Sequence, residues 1–161
     1  MTEKQKYALD KIISALPEDL RESCREIAGY AISLGYMPVL KGVRENYADF
    51  VNRKLKRTIL KIQTNPGFPF LEMKFYALRS YAGIFQDAIE NRLVYWDKLG
   101  YEASCFGCGK CDGTHGYVCA LPDGGQGFLC GFGVVPLPGF NADNIQEVKQ
   151  ALKIQDEFFA G

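Results

Sequence analysis

The chain has 161 residues, 47% of them apolar and 13% aromatic, which is enough for one domain with a sizeable core and leaves no room for extensive disorder. Its 19 basic residues balance its 19 acidic ones, so a zero net charge argues against strong undirected attraction to nucleic acid. No apolar run approaches the about 20 residues of a membrane span, and the charged start Met1–Lys6 is unlike a secretory signal, so the expected location is the cytoplasm, where thiols stay reduced.

Thr2 and Gln5 have capping-box spacing, and Ala8, Ile12, Ile13 and Leu16 recur with helical period, predicting a first helix that ends near Leu16. Pro17 suits the first position of a second helix, whose inner face is Leu20, Cys24, Ile27, Ala28, Ala31 and Leu34. Gly35 supplies its C-terminal cap and Pro38 prevents continuation. On that stripe Cys24 reads as a small core residue.

The period then changes. Tyr47–Val51 and Leu55–Gln63 around Asn52-Arg53-Lys54 predict a β-hairpin, and Asn65-Pro66-Gly67 a turn. Leu71, Met73, Phe75 and Ala77 alternate with Glu72, Lys74 and Tyr76 as a half-buried strand. A third helix is expected from about Ser80, with Ile84, Phe85, Ala88, Ile89 and Leu93 as its stripe. Two strands, Gly116–Leu121 and Gly127–Leu137, bracket the turn at Pro122–Gly125, and Asp143 is placed to cap a last helix through Ile145, Val148, Leu152, Gln155 and Phe159. The expected class is α+β: an antiparallel sheet with an N-terminal helical pair, one central helix, one C-terminal helix and a metal-held cysteine-rich loop. Residues 1–161 are expected to form one domain, with 101–139 as a zinc-knuckle-bearing loop and hairpin.

Charge is unevenly spread. Lys41 to Lys61 holds seven basic residues against Glu45 and Asp49, whereas Tyr101 to Gly161 holds three basic and seven acidic ones. The plainest reading is a solvated basic hairpin beside an acidic C-terminal half; a nucleic-acid face over 53–61 is the alternative.

Five of the six cysteines fall between Cys105 and Cys130, the first three as C-x2-C-x2-C in Cys105-Phe-Gly-Cys-Gly-Lys-Cys111. In a reduced compartment such clustering indicates metal coordination rather than disulfides. Cys105-x2-Cys108-Gly109 resembles the knuckle of zinc ribbons and rubredoxin-like sites, and Cys130-Gly131 resembles half of a second one. The resemblance spans 105–131 and departs from a full ribbon, which has a second C-x2-C pair. The expected ligands of one structural zinc are Cys105, Cys108, Cys111 and Cys130. Cys119 is left out because Tyr117-Val-Cys-Ala-Leu121 turns it toward the core, and His115 is an alternative fourth ligand. An iron–sulfur cluster is the competing cofactor, although Asp112 to His115 do not continue the ferredoxin run. Four thiolates close the shell and make the ion a poor Lewis acid, so catalysis at the metal is not expected; a metal-dependent enzyme is kept as a further alternative.

Function is therefore sought elsewhere. Phe68, Phe70, Tyr76, Tyr81, Tyr95 and Trp96 cluster around the third strand and helix, and if no helix covers the outer face of that strand they line an apolar pocket. Phe68, Phe70, Tyr76, Tyr81 and Trp96 are the candidate ligand-binding residues, with Glu72, Lys74 or Arg79 to orient an apolar or aromatic small molecule. A small-molecule-binding or regulatory module follows from this, with a nucleic-acid-binding knuckle protein as the alternative.

Overall fold

The computed structural model describes residues 1–78, 83–98, 113–121 and 123–161, with the backbone alone at 95–97. It is an α+β fold, as the sequence predicts. Helix α1 (Glu3–Ser14) starts in the expected capping box: the Thr2 amide donates to Gln5 Oε1 at 2.8 Å and the Gln5 amide donates to Thr2 Oγ1 at 3.4 Å. In α2 (Glu18–Ser33) Pro17 stands one position earlier than expected, at the cap itself, and Glu18 and Asp19 supply negative charge to the first turn. Gly35, at φ +89°, closes α2: the Tyr36 amide reaches back to the Ala31 carbonyl at 3.0 Å and the Gly35 amide to Ile32 at 2.9 Å, a complete Schellman motif.

Tyr36 leads into β1 (Met37–Lys41), a strand that the sequence reading did not anticipate because Pro38 argues against a ladder. The proline is tolerated because β1 is an outer strand. The antiparallel sheet has the order β1-β2-β3-β4-β7, with β2 at Tyr47–Asn52, β3 at Arg57–Gln63, β4 at Leu71–Lys74 and β7 at Val134–Pro136. The β2–β3 turn is longer than expected. Asn52 Oδ1 accepts from the Lys54 and Leu55 amides at 3.0 and 3.2 Å, so Leu55 lies in the turn and Lys56 takes φ +53° to return the chain.

The expected single strand Gly127–Leu137 is two. Among the described residues strand β6 (Gln126–Cys130) pairs with β5 (Gly116–Ala120) alone, as a separate hairpin, and β7 crosses to the edge of the main sheet. Gly131 makes the break. A Cβ there would stand 2.7 Å from the Phe75 carbonyl oxygen and 2.9 Å from Tyr76 Cα, so glycine lets the hairpin dock directly on the backbone after β4. The Gly116 amide donates to the Tyr76 carbonyl at 2.9 Å across the same junction. Helix α3 runs Ile84–Lys98. Asn141, rather than Asp143, caps the final helix: its side chain accepts from the Asp143 amide at 2.8 Å and starts a 3-10 turn (Ala142–Asn144) that runs into α4 (Ile145–Ala160).

Register sorts the sheet into two faces. Ala48, Phe50, Leu60, Ile62, Leu71, Met73 and Val135 are neighbours on one face and are buried with the inner stripes of α1, α2 and α4. Cys24 is fully buried on the α2 stripe, as its spacing predicts. The opposite face carries Asp49, Lys61, Gln63, Glu72 and Lys74.

A candidate ligand cleft on the polar face of the sheet

A cleft of about 750 Å³ lies over this second face, a size typical of small-molecule sites. Its floor comes from three neighbouring strands, Lys61 and Gln63 of β3, Glu72 of β4 and Val134 and Pro136 of β7, with Lys61, Glu72 and Pro136 in one cross-strand row. Ala88, Asn91 and Arg92 of α3 form one wall; Asn65, Phe68, Pro69 and Pro138 form the other. Glu72 occupies an interior strand and is only 3% exposed. Placing a carboxylate there costs several kcal/mol of desolvation unless partners replace its water. They do: Lys61 Nζ donates to Oε2 at 2.8 Å and Gln63 Nε2 donates to Oε1 at 2.5 Å. The chain of contacts continues outward, with Asn65 Nδ2 donating to Gln63 Oε1 at 2.7 Å and Asn46 Nδ2 donating to Asn65 Oδ1. Lys61 also sits 4.9 Å from the centre of the Tyr47 ring. The result is a fixed polar row beneath largely apolar walls, suited to orienting one end of an apolar molecule.

The aromatic candidates distribute unevenly around it. Phe68 is at the lip, 59% exposed. Phe70 is half-buried and lines a neighbouring hollow of about 370 Å³ with Leu20, Pro69 and Pro138. Tyr76 is away from the cleft, buried edge-to-face against Phe132 and Phe159 at 5.6 and 4.7 Å, with its hydroxyl donating to the Thr58 carbonyl at 3.0 Å. Tyr76 is thus turned toward α4 and buried there, instead of standing free on the outer face where it was expected. Tyr81, Arg79 and the Trp96 side chain lie outside the described residues. Of the proposed orienting charges Glu72 is in the site, and Lys74 points toward Phe132, 6.0 Å from its ring centre. The sequence reading missed Lys61, Gln63 and Asn65 as members of one site. The available signal was Glu72 itself, a carboxylate in the otherwise apolar run Leu71-Glu-Met73.

Of the metal candidates, Cys105, Cys108 and Cys111 lie outside the described residues, and among the described ones no three His, Cys, Asp or Glu side chains group as metal ligands. Cys130 is half-buried at the end of β6, opposite Gly116 in register. Cys119 is 3% exposed, with its sulfur 3.6 Å from the Gly127 carbonyl oxygen, and burial raises its pKa. His115 is half-buried, its ring 5.5 Å from that of Phe159 and 5.4 Å from that of Phe158. In the basic segment Arg53, Lys54 and Lys56 are exposed, but Arg57 is tucked against Phe159 and Lys61 is engaged by Glu72, which removes two of its charges from any nucleic-acid face.

No helix among the described residues is long and apolar enough to cross a membrane. No protein-family model, curated protein or solved structure matches the chain.

Proposed function

We propose that this chain is a small-molecule-binding module whose site is the cleft over β3, β4 and β7. The observation that carries the reading is Glu72, a buried carboxylate at the floor of an open apolar-walled cleft. Replacing a buried ion pair by packed apolar residues is often neutral or stabilising, so stability alone gives little reason for Lys61 and Glu72 to occupy these positions. Recognition of a polar group does. Phe68, Pro69, Val134 and Pro136 would take the apolar body of the ligand, and the Lys61–Glu72–Gln63 row would fix its polar end.

In the same proposal Cys105, Cys108, Cys111 and Cys130 hold one structural zinc ion in a reducing, cytoplasmic setting, with an iron–sulfur cluster as the alternative. The metal would fasten the segment between α3 and β5 to the end of β6 and contribute folding free energy rather than chemistry.

A thermal-shift screen of apolar and aromatic small molecules tests the reading, run beside a salt-dependent binding assay with single-stranded and duplex nucleic acid. Stabilisation that is lost in Glu72→Gln, a variant that keeps the shape and removes the charge, supports the cleft. Tight nucleic-acid binding that vanishes when Arg53, Lys54 and Lys56 are neutralised would replace it.

A further inference from the structure

Four buried polar atoms of the described side chains have no hydrogen-bond partner: Tyr36 Oη, Arg57 Nε, His115 Nδ1 and Gln155 Nε2. Each such atom costs about 1–3 kcal/mol, and native proteins hold only a few per 100 residues. Three of them, on Arg57, His115 and Gln155, belong to side chains gathered around Tyr76 and Phe159. The Arg57 guanidinium is 4.9 Å from the centre of the Phe159 ring and the His115 ring is 5.5 Å from it, while Tyr76 meets Phe159 at 4.7 Å. Gln155 Oε1 accepts from the Tyr76 and Ala77 amides at 2.5 and 2.8 Å, which fixes the side chain and leaves its amide nitrogen as the unused end. Tyr36 immediately precedes β1, in the row of the last β2–β3 pair, Asn52 with Arg57, and its hydroxyl lies near Arg57 and near Asp156, a carboxylate within reach of its proton that an incoming oxyanion would have to replace.

The unused groups share one chemistry. A guanidinium N–H and an amide N–H only donate, a phenol has a proton to give, and His115 Nδ1 donates in one of the two imidazole tautomers. Burial, then Asp156, push the Tyr36 phenol pKa up, so it remains a donor. Arg57 makes no ion pair with a described carboxylate. Gln155 and Tyr36 are completely buried, whereas Arg57, His115, Phe132 and Phe159 are half-buried, so the cluster opens to the surface on the aromatic side.

We propose that this end of the sheet binds the oxyanion group of a small ligand, a carboxylate or a phosphate, on Arg57, Gln155 and Tyr36, with the rings of Phe132 and Phe159 beside it. The site is separate from the cleft, since Arg57 and Gln63 lie at opposite ends of β3, about 20 Å apart at strand rise.

The test is a titration of the full-length protein, with its metal as purified, followed by NMR at the Arg57 Nε–H and the Gln155 side-chain amide. Benzoate, acetate, phenyl phosphate and inorganic phosphate are the probes, with chloride at matched ionic strength as the control. The expected result is a saturable shift at both groups with at least one oxyanion, weakened about tenfold or more in Tyr36→Phe and in Arg57→Lys. Saturation by the carboxylates alone or by the phosphates alone identifies the ligand group, and either supports the site. Linear responses indistinguishable from chloride overturn it, as does saturable binding of unchanged affinity in Tyr36→Phe. That variant removes one oxygen and keeps the ring that fills the site, and its folding is checked by urea unfolding, so it decides the matter even if Arg57→Lys does not fold.

Discussion

Lys61 and Glu72 are cross-strand partners on β3 and β4, their charged atoms 2.8 Å apart, with 19% and 4% of their side chains exposed. Such a pair is held by mutual compensation, and the two ways of disturbing it differ sharply in cost. Lys61→Met alone leaves the carboxylate buried with only Gln63 as partner, and a loss of about 3–5 kcal/mol is expected. Lys61→Met with Glu72→Leu should recover most of that loss. Urea unfolding of the single and double variants measures both, and a single-variant cost below about 1 kcal/mol would show the pair to be solvent-screened after all.

Gly131→Ala places a methyl group against the Phe75 carbonyl and Tyr76 Cα, neither of which is a flexible side-chain end. A destabilisation of about 1–3 kcal/mol is expected, with loss of hydrogen-exchange protection at the Gly116 amide, which bridges hairpin and sheet. Gly139→Ala meets nothing within 4 Å and serves as the control, with a change within about 0.5 kcal/mol. Equal effects at the two positions would mean that the hairpin does not dock through Gly131.

How much of this was legible in the sequence depended on whether a signal was local. The stripes of α1 and α2 and the Gly35 cap are local patterns, and they formed where the periodicity placed them. Strand β1 was hidden by Pro38, because sequence does not reveal that a strand will lie at a sheet edge where a missing N–H is tolerated. The split of 127–137 into β6 and β7 depends on how closely Gly131 approaches Tyr76, a tertiary contact between residues 55 positions apart. The aromatic grouping found Phe68 but overextended to Tyr76, since the turn of the chain after β4 that swings this ring toward α4 is set by tertiary contacts with Gln155 and Phe159. The cleft itself joins residues of β3, β4, β7 and α3, and no short motif encodes such a row.

Cys24 is wholly buried, and burial pushes its thiol pKa from 9.0 up to about 12. Native-state labelling should therefore leave it unmodified while Cys130 reacts in metal-free protein, and its modification rate should follow global unfolding. The sign of the pH effect follows from the raised value. The unfolded chain ionises this thiol from about 9 and the folded one only near 12, so its contribution is intact below pH 9 and falls as pH rises through that window. Rapid native labelling of Cys24 would contradict the packing of α2.

The metal proposal predicts about one zinc per chain by elemental analysis. Cys130→Ser should release it, and Cys119→Ser should retain it because that sulfur already faces the Gly127 carbonyl within the hairpin. Loss of zinc in Cys119→Ser with retention in Cys130→Ser would reverse the assignment, and a brown protein containing iron would replace zinc by a cluster.

Chemical-shift mapping of the best-stabilising small molecule tests the cleft most directly. The account predicts saturable shifts at the side-chain amides of Gln63, Asn65 and Asn91 and at the Arg92 Nε–H, all lining groups. They should be abolished in Asn91→Trp, where an exposed α3 position fills the mouth without entering the core. Shifts confined to residues outside the cleft, or undiminished binding in Asn91→Trp, would contradict it.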